Sequence, residues 1–68
     1  MKNLLRVERA KTDITQAELA DKISVSRQTI NSIELGKFVP STILALKLAC
    51  FFEVKVEELF ILEADDWE

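Results

Sequence analysis

Apolar residues recur along the chain at helical spacing, and the polar residues between them mark where each helix starts and stops. Leu4, Val7 and Ala10 stand three apart and predict a first helix over about residues 2–11. A second begins at Thr15, whose hydroxyl is placed to cap it. Glu18 three residues on completes a capping box, and Ile14 with Leu19 has the spacing of a hydrophobic staple. Leu19, Ala20 and Ile23 then give one inward stripe, with Asp21 and Lys22 outside. A third helix spans residues 26–35, capped by Ser26, stapled by Val25 and Ile30, and ended by Gly36. Ser24-Val25 leaves almost no connector before it, so the second and third helices must cross at a large angle, as in a helix-turn-helix.

Pro40-Ser41 opens a fourth helix, Thr42–Phe52, that is apolar nearly all round with Lys47 its only charge, which predicts a central, covered helix. Val56, Leu59 and Phe60 predict a short fifth helix. One glycine and one proline are too few turn breakers for a sheet protein. The expectation is an all-α, compact five-helix domain over residues 1–62, followed by an acidic tail over 63–68.

At 68 residues the chain makes a single domain that buries only about 60% of its unfolded surface, so its core needs support. Cys50 has no second cysteine to bridge to, and without histidine a zinc site is excluded. No metal or other cofactor is expected, and self-association is the support that remains. Lacking histidine and tyrosine, the chain has no ordinary acid–base or nucleophile set, and one glycine cannot build a phosphate loop. An enzyme is not expected. No apolar run approaches the ~18 residues of a membrane span, and the charged start is no signal peptide, so a cytoplasmic protein is expected.

The net charge of −3 argues at first against a nucleic-acid partner. Its distribution reverses the argument. Residues 1–52 hold eight basic side chains against five acidic ones, whereas residues 53–68 hold Lys55 against seven acids. Within the third helix, Thr29, Ile30 and Ile33 fall on one side, and Arg27, Gln28, Asn31 and Ser32 occupy an arc of roughly 140° on the other. These side-chain types read base edges: arginine bonds guanine bidentately, and glutamine or asparagine bonds adenine. An ordinary exposed helix would carry Glu and Lys, yet no carboxylate stands from Ser26 to Ile33. Gln16, at the start of the second helix, and Lys37, past the end of the third, are placed to hold phosphates on either side.

The runs Thr15-Gln16-Ala17-Glu18-Leu19-Ala20, Val25-Ser26-Arg27-Gln28-Thr29-Ile30-Asn31 and Ile33-Glu34-Leu35-Gly36-Lys37 resemble the Cro/C1-type (XRE) family of helix-turn-helix regulators. Pro40-Ser41 and Glu57-Glu58-Leu59-Phe60 are similar to its compact single-domain members. The resemblance covers about residues 3–62 and implies a lambda-repressor-like fold. It implies that Arg27, Gln28 and Ser32 face bases, that Asn31 and Lys37 lie beside the backbone or a base edge, that Gln16 contacts phosphate, and that Arg9 pairs with Glu34; the expected site is then Arg27, Gln28, Asn31 and Ser32 for bases and Gln16, Thr29 and Lys37 for phosphate. Three departures stand out. Leu35 occupies a position where the family is usually polar, Glu53 replaces a common glycine, where a left-handed residue would carry some strain, and Cys50 and Phe51 stand where at least one charged side chain is expected.

The resemblance also implies a homodimer on a palindromic double-stranded DNA operator, with half-sites one helical turn apart, and the function of a transcriptional repressor. The candidate dimer surface is C-terminal: Cys50, Phe51, Phe60, Leu62 and Trp67, with residues 60–63 able to add a strand to a symmetry mate. One rival stays open, an antitoxin or accessory subunit that uses the same fold to bind a partner protein through its acidic C-terminal segment.

Overall fold

Four serine, threonine or asparagine side chains set where the chain becomes helical. A computed structural model describes residues Met1–Glu68. The order is strand β1 (Lys2–Asn3), helices α1 (Leu5–Thr12), α2 (Gln16–Ile23), α3 (Arg27–Glu34), α4 (Thr42–Phe52) and α5 (Val56–Leu59), strand β2 (Phe60–Ile61), and a closing 3-10 turn, Ala64–Trp67. The Thr15 hydroxyl accepts from the Glu18 N–H at 3.0 Å, and the Glu18 carboxylate accepts from the Thr15 N–H at 3.0 Å. That reciprocal box holds Glu18 below the usual carboxylate range, the main-chain bond from Thr15 being the main cause. Ser26 caps α3 by accepting from Thr29 N–H (3.1 Å), and Ser41 caps α4 by accepting from Leu44 N–H (3.2 Å).

α1 departs from the helix expected at residues 2–11. Asn3 accepts from the Leu5 N–H at 3.2 Å and donates through Nδ2 to the Ile33 carbonyl at 2.9 Å. The Leu4 N–H donates to the Leu59 carbonyl at 2.9 Å. β1 lies antiparallel to β2, Lys2 opposite Ile61 and Asn3 opposite Phe60. These four residues are therefore extended, and the helix starts only at Leu5. Leu5 is wholly buried, whereas Val7 is 47% exposed and Ala10 is also outside. The spacing of Leu4, Val7 and Ala10 marked a partly exposed flank; Leu5, Glu8 and Arg9 are the residues that turn inward.

The core joins α2, α3, α4 and α5 through Leu19, Ile23, Ile30, Ile33, Leu48 and Leu59, with Leu5 closing it from α1. Ile14 and Val25 pack against it as the expected staples. α4 is not the covered helix its composition predicts. Leu44, Leu48, Ala49 and Phe52 are buried, but Ile43 is 74% and Leu46 53% exposed, and Cys50 is on the surface. α5 is a single turn: Phe60 adopts extended backbone (φ −119°, ψ 122°) instead of completing it. The short strand it begins pairs within the chain. The amino terminus closes the other end, with the Met1 ammonium 3.2 Å from Glu63 Oε1 and 3.1 Å from Asp66 Oδ2. No helix is long and apolar enough to cross a membrane.

Candidate nucleic-acid interface

Ile30 and Ile33, 0% and 1% exposed, pin one side of α3 to the core, and this fixes which residues it shows outside. Arg27, Gln28 and Asn31 are exposed and Ser32 is half-buried on that outer side. The first turn of α3 carries no acidic residue, so nothing there opposes the positive end of the helix dipole. The helix ends in a tight reversal. Gly36 takes φ 75°, its N–H donates to the Ile33 carbonyl at 3.0 Å, and the Lys37 N–H donates to the Ser32 carbonyl at 2.9 Å. These two bonds are a Schellman turn, and they lay Lys37 back beside the last turn of the helix.

A polar chain braces α3 from behind. Arg9 Nε donates to Glu34 Oε2 at 2.6 Å, its Nη2 to Oε1 at 3.0 Å, and its Nη1 to the Ile14 carbonyl at 3.1 Å. Gln16 Nε2 donates to Glu34 Oε1 at 3.1 Å and to Asn31 Oδ1 at 3.2 Å. Burial pushes the Glu34 carboxyl up, but the bonds from Arg9 and Gln16, with the charges of Arg9 and Arg6, hold it below the usual range. The bond to Glu34 raises the Arg9 guanidinium in turn. One guanidinium thus ties α1, the loop into α2 and the end of α3 into a single unit.

Two expected phosphate donors are engaged inside the protein. Both amide hydrogens of Gln16 point at Asn31 and Glu34, so that side chain orients its neighbours, and what α2 offers outward is the unpaired main-chain N–H of its first turn. The Thr29 hydroxyl shares a 2.9 Å hydrogen bond with the Ser26 hydroxyl, where it supports the cap. Lys37 is exposed and makes no ion pair, and Arg27 borders a cleft with Thr15, Gln16 and Ala17 at the start of α2. Three residues outside the expected set support or border this surface. Asn3 fastens the end of α3 from the sheet side, Arg6 shares a cleft with Glu34 and Leu35, and Phe38 shares one with Gln28 and Ser32.

The Helix-turn-helix family model matches residues 5–59. The chain belongs to the helix-turn-helix family. Its members include an HTH-type transcriptional regulator of Methanocaldococcus jannaschii, 54% identical over 66 residues that span 97% of this chain and all of that one. An HTH-type transcriptional regulator of Archaeoglobus fulgidus is 42% identical over 69 residues, covering this whole chain and 97% of its own length. The HTH-type transcriptional regulator YgzD of Bacillus subtilis is 41% identical over 66 residues, which cover 97% of this chain and all of YgzD. In helix-turn-helix terms α2 and α3 are the paired helices and α3 is the exposed second one.

Of the expected dimer residues, Cys50 is exposed, Phe51 is 36% exposed with its ring edge-on to Phe52 at 5.0 Å, and Leu62 and Trp67 are 57% and 77% exposed. Phe60 is the exception. At 8% exposure its ring belongs to the core and is not available to a partner.

Proposed function

We propose that this protein is a sequence-specific regulator of transcription that binds double-stranded DNA with α3 in the major groove, as a homodimer that represses by occupying its site. The observation that carries this is the outer face of α3, where Arg27, Gln28, Asn31 and Ser32 stand free of carboxylates while Glu34 is turned away to Arg9. Arg27 offers two donors to guanine O6 and N7, and Gln28 offers adenine one donor for N7 and one acceptor for the N6 amino group. Asn31 reaches a base edge with its orientation set by Gln16. Lys37 and the first N–H groups of α2 hold the phosphates at either end of the helix.

Dimerisation rests on the outer side of α4. Ile43, Leu46 and Cys50 fall on one stripe of that helix, and the first two are more than half exposed. A stable interface takes about 800 Å² per partner, near one-sixth of the 4872 Å² this chain exposes. Apolar residues already supply the centre of such a patch.

Selection of bound sequences from a random duplex pool tests the whole reading, and a palindrome with half-sites about 10 bp apart is the expected result. Arg27→Ala and Gln28→Ala should each lose about 1–3 kcal/mol of discrimination on the selected site with the helical spectrum unchanged. Equal affinity of both variants and the wild type at one salt concentration would overturn it.

A further inference from the structure

Phe38 has no place in the core, being 47% exposed and outside the buried cluster, yet its backbone is firmly held. The Gly36 turn brings it back along α3, and its N–H donates to the Ser32 carbonyl at 3.3 Å, beside the Lys37 N–H bonded to the same oxygen. The residue is thereby held beside the outer face of α3. It forms one wall of a cleft of ≈ 360 Å³ whose other lining residues are Ser26, Gln28, Thr29, Ser32 and Lys37. Phe38 is the one hydrophobic residue there, and no carboxylate lines the space.

We propose that Phe38 reads the 5-methyl group of a thymine, at or next to an adenine held by Gln28. This rests on the DNA-binding reading and adds a base preference to it. In the major groove a glutamine amide pairs with adenine N6 and N7, and thymine is distinguished by an O4 acceptor and a methyl group. A methyl group needs an apolar wall, and Phe38 supplies it. The Thr29 hydroxyl is already bonded to Ser26, and Lys37 at the rim meets the phosphate side. Cytosine in the same position would bring an N4 donor and no methyl group, and the natural acceptor for that donor, a carboxylate, is missing from the cleft.

The test uses the full chain and a duplex selected by it from a random pool, with each thymine replaced in turn by uracil, which removes only the methyl group. At one thymine per half-site the replacement should weaken wild-type binding about three- to tenfold. Phe38→Ala should bind the thymine duplex more weakly by a similar factor and show less than a twofold penalty for uracil at that position. Phe38→Leu, which keeps an apolar wall and a comparable fold, should retain part of the penalty. The proposal is overturned if no uracil replacement affects the wild type, or if wild type and Phe38→Ala lose equally. A change in sedimentation of Phe38→Ala with the uracil penalty intact would assign the ring to a protein contact and overturn it likewise. In these outcomes binding itself, and its sensitivity to Gln28→Ala, would stand; only failure to bind any duplex would remove both readings together.

Discussion

Glu34 braces α3 from behind the proposed recognition surface, bonded to Arg9 and Gln16. Its side chain is 5% exposed and Arg9's is 17%, between the surface pairs that contribute little and the buried ones that cannot lose a partner. Arg9→Met should therefore cost about 2–4 kcal/mol in urea unfolding at pH 7, and a double variant that also replaces Glu34 by Met should recover much of the loss. The pH dependence has a definite sign. Glu34 is held below its ordinary value in the folded chain, so its contribution is present above the unfolded carboxyl value near ~4.3 and disappears as pH falls through the folded one. The difference between wild type and Arg9→Met should then narrow between pH 7 and pH 3; a constant difference would mean that the pair is not its source. Other residues at this scale were harder to anticipate. Residue type puts Gln16 and Thr29 near the start of a helix, but it does not say that Asn31, Glu34 and Ser26 will bind their polar groups first. Nor does any local signal distinguish an exposed Phe38 from a core phenylalanine, since its exposure follows from a turn two residues earlier.

Four of the helices end in the same way, and only one ends on glycine. Asp13, Ser24, Glu53 and Gly36 all take positive φ, at 53°, 61°, 56° and 75°, and each is followed by the paired N–H bonds that close a helix C-terminus. The left-handed conformation costs a side chain about 1–2 kcal/mol, which glycine avoids at some expense in chain entropy. Glu53→Gly should accordingly stabilise the protein by about 0.5–1 kcal/mol. Gly36→Ala should destabilise it by about 1 kcal/mol for conformational reasons alone, since an added Cβ at Gly36 meets no atom within 4 Å. Thermal unfolding of the two variants should shift in opposite directions; shifts of the same sign would refute this account of the turns. The ends at Gly36 and Glu53 and the caps of α2 and α3 were legible because they depend on residues three or four apart, whereas nothing in residue type marks Asp13 or Ser24 as left-handed. The β1–β2 pairing was not legible, because it joins residues from opposite ends of the chain. The later start of α1 follows from that: once Lys2 and Asn3 enter a sheet, Leu5 is the residue wholly buried in the core and Leu4 packs at its edge.

The whole molecule separates its charges and leaves apolar surface on one helix, and both features bear on assembly. Seven of the twelve acids gather in residues 53–68, on the turns that flank α5, on α5 itself and on the closing turn, while the free cations Arg27 and Lys37 lie at the two ends of α3. Two copies must place their α3 helices about 34 Å apart to enter successive major grooves, and the molecule measures 35 × 22 × 20 Å. Side-by-side contact of two copies therefore fits the spacing without any linking segment. A charge placed in the middle of the exposed stripe on α4 should break that contact and nothing else, because Leu46 is 53% exposed and outside the core. Leu46→Lys should sediment as a monomer at concentrations where the wild type is a dimer, with unfolding changed by less than about 0.5 kcal/mol. Its affinity for a single half-site should match the wild type, while affinity for the full palindrome should fall a hundredfold or more as the linked second contact is lost. The slope of log affinity against log salt should drop to about half, since each copy then neutralises only its own phosphates. A Leu46→Lys variant that remained dimeric and bound the palindrome with an unchanged salt slope would move the dimer contact off α4. Leu62 and Trp67, the most exposed apolar residues of the surface expected from the sequence, would then be the next place to put the same charge.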